Sequence, residues 1–364
     1  MEDKLCIIIH PIDRDLLYNY EPGMKKLSID VTKKILEWMS PFKASYIEGI
    51  KSYATGKVLN AELIMCPLLM EQMVSSNPRK ILNRVIKAAK FGKDQGAKLL
   101  GLVAYTAMVG ARGLKVYQRV NIPLTVGTHM SLAVVPDTVL KAVNLLGYQI
   151  KKLKVLILGA NQLGNIVLRK LGYALGQIYL YSSKRDKVIT FYNYLPSPLK
   201  KKVKVVFRDP RYILKDIDII INASDHSPTV FDEKYLKKGA IIFDASYPRS
   251  INITRDDVLL TDGLVMEPPG RPNFNFNFGL PEGLCFPCMV EPIVLYFEKR
   301  YEPYSLGKDI SLAKAEEIYK LSLKHGFRMG PLTSHERVVP TEKIKQIKKN
   351  IRKRNFIFSI FKSR

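Results

Sequence analysis

Two of the chain's four cysteines, Cys285 and Cys288, stand three residues apart in "GLCFPCMVEPIVLYFEKR", ahead of an apolar run. Such a pair supports half a metal site, a redox dithiol, or one nucleophile beside an inert neighbour. A structural zinc site wants four ligands, and no matching CxxC, CxxH or HxxxH occurs elsewhere, so no metal is expected. A thioredoxin-type pair precedes the first helix of a βαβ unit, whereas this one follows a loop late in the chain. A single nucleophile and two inert cysteines both stay open. Pro287 suits the first turn of a helix, whose positive dipole end would then favour a Cys288 thiolate. Pro292 opposes this, because a helix already running through Cys288 would lose a hydrogen bond there. Either the helix kinks at Pro292, or it begins at Glu291 and leaves Cys288 in a loop. Cys66, in "IMCPLL", is expected in the core.

A second constellation lies mid-chain. The turn Gly159-Ala160-Asn161-Gln162-Leu163-Gly164 directly follows the apolar run "KVLIL" and opens a helical pattern. In that context backbone N–H groups and a helix N-terminus hold a pyrophosphate, although Asn161 replaces the middle glycine of GxGxxG. After the next apolar run, "IYLY", the chain reads Ser182-Ser183-Lys184-Arg185, with hydroxyls and cations where an NAD site carries an acid. That pattern favours NADPH through its 2'-phosphate. "NAS", with Ala223 and Ser224, is placed to reach the nicotinamide ribose.

The elements that must position these residues follow from the periodicity. "KVLIL", "IYLY", "KVKVV", "DIDIIINAS" and "GAIIFDASYP" read as strands, with candidate helices at "YILKD" and "FDEKYLKK" between the later ones. The fold class expected is α/β: a doubly wound parallel-sheet (Rossmann-like) NADP-binding domain plus a second α/β substrate domain. In the second domain the apolar run near the N-terminus, "GKVLNAELIMCPLL" and "GAKLLGLVAYTAMVG" read as strand segments, and the apolar stripe through Ile81, Leu82, Val85, Ile86 and Ala89 predicts an amphipathic helix. The expected organisation is a substrate domain over 1–135, the dinucleotide domain over 136–266, a loop and helices carrying the nucleophile over 267–340, and a basic tail over 341–364. The Pro-, Gly- and Asn-rich stretch Met266 to Gly283 is expected to be an irregular loop.

At 364 residues with 47% apolar content, the chain is long enough for two domains and has no apolar segment of membrane-spanning length. The N-terminus does not read as a signal peptide, and four cysteines do not make a disulfide framework, so a cytoplasmic enzyme is expected. The excess of 58 Lys+Arg over 33 Asp+Glu gives a net charge of +25, which suits an acidic partner, although scattered lysine solvates any surface in the same way. From Lys343 to Arg364 there are nine basic residues and no acidic one, with Ile344, Ile347 and Ile351 at helical spacing. That pattern suits peripheral contact with a membrane as well as it suits a solvated tail. Nucleic acid is not expected as a partner.

From Ser52 to Phe327 the chain resembles the cyanobacterial long-chain fatty acyl-acyl carrier protein reductases. The matching runs are "ATGKV", "TVGTH", "VLILGANQLGN", "DASYP", "FPCMVEPIVLYFE" and "KHGF". The resemblance implies NADPH-dependent reduction of an acyl thioester, on acyl-carrier protein or coenzyme A, to a fatty aldehyde. It places the acylated nucleophile on Cys288, leaves Cys285 a bystander, and makes His129 a candidate acid, base or orienting group. Rival readings are a shikimate-dehydrogenase-like enzyme without covalent catalysis, a glutamyl-tRNA reductase with Cys66 as nucleophile, and a non-catalytic dinucleotide-binding protein.

Overall fold

The computed structural model describes residues 3–223, 232–246, 251–308 and 310–362, with side chains as far as Ile351 in the last stretch. The chain forms two compact units, Met1–Ala133 with Val265–Gly330, and Val134–Leu264 with Pro331–Arg364. The stretch 267–340 therefore divides between them.

In the first unit β1 (Leu5–Ile9) is buried along its whole length. It lies between parallel neighbours β3 (Ala61–Met65) and β4 (Leu99–Leu102), and β5 (Leu124–Thr125) is parallel to β4. Unbroken apolar strands of this kind suit a parallel sheet covered on both faces. Strand β2 (Phe42–Ile50) pairs antiparallel with β3, and with β13 (Gly270–Asn273) at one edge the sheet order is β13-β2-β3-β1-β4-β5. Ahead of β2 come α1 (Arg14–Tyr20) and α2 (Ile29–Trp38), joined by the 3-10 helix Pro22–Lys26. Helix α3 (Met70–Ser75) precedes α4 (Pro78–Asp94), which starts on the Asn77 cap and buries Ile81, Val85, Ile86 and Ala89 of its stripe, with Leu82 partly buried. The short helices α5 (Val109–Arg112) and α6 (Leu114–Val120) lead to β5, and α7 (Thr128–Ala133) follows it.

The stretch expected to be irregular contains a strand. Residues Gly270–Asn273 form β13, antiparallel to β2. Glycine permits the approach: a Cβ on Gly49 would lie 1.7 Å from the Arg271 carbonyl oxygen, and one on Gly270 would lie 2.2 Å from that of Gly49. An exposed strand edge recruits any backbone that fits it, which composition alone does not reveal.

In the second unit α8 (Val135–Leu146) precedes the strands β6 (Lys154–Leu158), β7 (Gln177–Tyr181), β8 (Val203–Val206), β9 (Ile219–Asn222), β10 (Ile241–Asp244) and β11 (Leu259–Thr261). Their order is β11-β10-β9-β6-β7-β8, every adjacent pair parallel. In units of this sheet's own strands that is 6-5-4-1-2-3, the doubly wound dinucleotide order. The expected α/β class and parallel sheet are thus present. Helices α9 (Gln162–Leu171), α10 (Arg185–Asn193) and α11 (Ser197–Lys200) connect the first three strands. Around "YILKD" and "FDEKYLKK", by contrast, only the 3-10 turns Pro210–Asp216 and Glu233–Tyr235 form. Strand β12 (Gly263–Glu267) carries the chain back toward the first unit's residues, where α12 (Pro287–Phe297) and α13 (Leu312–His325) follow. The last element is α14 (Thr341–Lys362).

Candidate functional site

The turn after β6 has the geometry that its sequence context predicts. Gly159 takes φ +114°, in the region that favours glycine, and a Cβ on Gly164 would come 2.9 Å from the Gly159 carbonyl oxygen. Asn161 explains its own presence. Its backbone is extended, its Oδ1 accepts from the N–H groups of Leu163 (3.1 Å) and Gly164 (3.3 Å), and its Nδ2 donates to the Ala223 carbonyl. The side chain caps α9 and ties the turn to the end of β9. In exchange, two N–H groups at the helix start are already bound, leaving the Ala160 and Gln162 end of the turn to meet a phosphate.

At the end of β7, Ser182 is half-buried while Ser183, Lys184 and Arg185 are exposed. The Lys184 N–H donates to Ser182 Oγ, and the Arg185 guanidinium lies 4.8 Å over the ring of Phe207, which follows β8. No acidic residue stands at the end of β7, so the group offered to a ribose there is cationic. These residues fit a nicotinamide dinucleotide: a glycine turn at a helix start, with hydroxyls and cations after the second strand. At the end of β10, Asp244 accepts from Asn222 Nδ2 (2.8 Å) and from Ser246 (N–H 3.0 Å, Oγ 2.7 Å), tying the end of β10 to the end of β9. Ser224 lies outside the described residues.

In the first unit, α12 begins at Pro287, so Cys288 sits in its first turn. Of the two alternatives, the helix runs on through Pro292 and does not start at Glu291. Pro292 has no N–H for the Cys288 carbonyl, and its ring instead packs on Gly101 of β4, where a Cβ would come 2.9 Å from Pro292 Cγ. Cys288 is partly exposed, whereas Cys6, Cys66 and Cys285 are buried. Burial pushes the Cys6 and Cys66 thiols up to about 12. Burial, and after it the neighbouring Cys288, pushes the Cys285 thiol well above its ordinary value. Cys288 is the cysteine among the four with access to a reactant.

Its surroundings come from "TVGTH". Gly127, at φ +69°, runs so close under Cys288 that a Cβ there would meet the Cys288 Cα and Cβ at 2.6 Å. Glu291, one turn along α12 and fully buried, holds this loop: Thr125 Oγ1 donates to one carboxylate oxygen and the Met130 N–H (2.9 Å) to the other. Burial raises the Glu291 carboxyl above its ordinary value, with those hydrogen bonds acting in the opposite direction. Sequence reading passed over Glu291; its signal was a lone acid inside the apolar run "MVEPIVLYF".

His129 is placed as a brace. It has no exposed surface, Nδ1 shares a hydrogen bond with Ser305 Oγ, and Nε2 accepts from the Ser311 N–H at 3.0 Å. Both ring nitrogens are engaged with protein, which suits the orienting role among the acid, base or orienting roles expected for it. A similar link ties the residue two positions before "ATGKV" to "KHGF": Ser52 Oγ lies 2.7 Å from His325 Nδ1, whose Nε2 lies 2.7 Å from Glu298. The C-terminal stripe is also taken up internally, since Ile347 and Ile351 are buried and α14 packs on α8. The aromatic cluster beyond Ile351 lies outside the described side chains. No helix among the described residues is long and apolar enough to cross a membrane.

No family model matches the chain. It is similar to the aminotransferase PigE of Serratia sp. (strain ATCC 39006), 26% identical over 307 residues, which cover 81% of this chain and 35% of that protein. The chain therefore spans about a third of the length of this curated relative. Among solved structures, L-tryptophan dehydrogenase from Nostoc punctiforme covers 89% of this chain and 80% of its own at 12% identity and a TM-score of 0.39. Shikimate dehydrogenase from Aquifex aeolicus covers 87% and 98% at 14% identity and a TM-score of 0.33. Likenesses this distant carry no function to the chain, and the fold rests on its own strand order. The resemblance to acyl-acyl carrier protein reductases is overturned by the curated relative, which is described as an aminotransferase.

Proposed function

We propose that the chain is a nicotinamide-dinucleotide-dependent oxidoreductase, with NADP as the preferred cofactor, acting on a carbonyl substrate. The observation that carries this reading is the 6-5-4-1-2-3 parallel sheet with a glycine turn after its first strand and Ser182 to Arg185 after its second. When bound, the dinucleotide supplies the hydride. The chain's own residues do the rest: Gly159 and Gly164 let backbone approach the pyrophosphate, and Lys184 and Arg185 offer charge to a 2'-phosphate. Isothermal titration with NADPH and NADH tests this. Tighter binding of NADPH supports the reading, and binding of neither dinucleotide removes it.

The partly exposed Cys288 at the start of an eleven-residue helix favours a second, finer reading, in which the carbonyl is an acyl thioester. Cys288 Sγ would form a bond to the acyl carbon while the bond to the leaving thiol breaks and that thiol takes up a proton. Hydride addition to the enzyme-bound acyl group and loss of Cys288 Sγ would then release an aldehyde. The N–H groups at the start of α12 would be the donors to the developing oxyanion. Intact-protein mass spectrometry after mixing with an acyl-coenzyme A, without reductant, checks this step. An acyl adduct absent from Cys288→Ala supports it, and no adduct on the wild type leaves the non-covalent dehydrogenase.

A further inference from the structure

The first unit contains a cavity of about 310 Å³ that neither cofactor nor nucleophile uses. It opens at the carboxyl ends of β1 and β3, beside the reversal of strand order at β1, which is where open α/β sheets bind ligands. One wall is the helical pair before β2, through Leu16, Leu17, Met24 and Met39. The facing wall is the "NFNFNF" run, whose alternation sends Phe276 and Phe278 into the same space, with their rings 4.9 Å apart. His10 forms part of the lining, with Nε2 accepting from the Tyr105 N–H at 3.0 Å and Nδ1 lying 2.9 Å from the Pro11 carbonyl oxygen, so both nitrogens are engaged. Burial holds that imidazole down to about 4, neutral at physiological pH. Glu21, exposed, is the one acidic side chain of the lining.

We infer that this cavity is a binding site for a hydrocarbon chain carrying an uncharged or cationic head. Protein interiors pack without voids of this size, and the space matches the lower end of small-molecule pockets. At roughly 30 Å³ per methylene-sized group, the volume share of a water molecule, it takes about ten such groups. Methionines on opposite sides, Met24 and Met65, let the walls fit a flexible chain. The Glu21 carboxylate opposes an anionic head of the same length. This inference does not depend on the oxidoreductase reading.

The test is isothermal titration of the full chain with 1-butanol, 1-hexanol, 1-octanol, 1-decanol and octanoate. The structure predicts one site per chain, affinity rising about fourfold per methylene until the cavity is filled, and octanoate binding about tenfold more weakly than 1-octanol. Met24→Trp, which places an indole in the space, should abolish binding with the melting temperature kept. Glu21→Gln should remove the difference between alcohol and carboxylate, and it stands as a test even where Met24→Trp fails to fold. Absence of saturable binding, affinity independent of chain length, or unchanged binding by a folded Met24→Trp would overturn the inference.

Discussion

The dinucleotide turn is drawn from one unbroken stretch, residues 159–164 and the helix they open, whereas the surroundings of Cys288 are assembled from 125–131, 287–291 and 305–311. In the first, backbone conformation sets the geometry and the side chains of Ser183, Lys184 and Arg185 are exposed. In the second, a buried carboxylate and a buried imidazole hold a loop against a helix, and Cys288 is the part left partly open. A local arrangement tolerates change at its rim, while an assembled one transmits any disturbance of its braces to the thiol. Substitutions at each can break or sharpen that contrast.

The largest effect is expected at Gly127. Gly127→Ala puts a Cβ into the Cys288 backbone and strains a positive φ, with an expected loss of about 2–4 kcal/mol in a denaturant melt. Unchanged stability would mean that the loop does not sit against α12. Glu291→Gln should cost about 1–3 kcal/mol by leaving buried donors poorly matched. Its sign with pH is specific. The carboxyl is raised by burial, so its contribution is complete below the ordinary glutamate range and declines as pH rises through the raised value. The melting-temperature gap between wild type and Glu291→Gln should therefore narrow from acid toward neutral pH, and a widening gap would show that the hydrogen bonds from Thr125 and Met130 outweigh burial.

At the local site the effects are smaller and appear in binding. Arg185→Glu should weaken NADPH about tenfold, or about 1.4 kcal/mol, while NADH changes little, and the loss should shrink at high salt. The smallest effect is expected for Asn161→Gly, which removes a cap at a cost of a few tenths of a kcal/mol and frees the Leu163 and Gly164 N–H groups, raising dinucleotide affinity a few-fold. Weaker binding in that variant would mean that the link from Asn161 to the Ala223 carbonyl matters more than the freed donors.

The same contrast explains what could be read in advance. The strand, turn and helix from Lys154 to Leu171 were legible because their signals are local: an apolar run, glycines, then a 3.6-residue period. The Gly270–Asn273 strand was not, because its cause is the edge of β2 more than two hundred residues away. His129 looked chemical in sequence because nothing local shows that Ser305 and Ser311 occupy both of its nitrogens. The isoleucine stripe near the C-terminus looked available for a membrane because its partner, α8, lies two hundred residues upstream. Family resemblance misled where shared short runs were taken to specify a substrate; one of them, "KHGF", carries His325, which is hydrogen-bonded to Ser52 and Glu298.

The central claim is that the second unit binds a phosphorylated nicotinamide dinucleotide. Titration of wild type and Arg185→Glu with NADPH and NADH, followed by nicotinamide fluorescence at two salt concentrations, tests it most directly. The account predicts saturable NADPH binding tighter than that of NADH, with the preference lost in the variant. Equal or absent binding of the two dinucleotides by the wild type would contradict it.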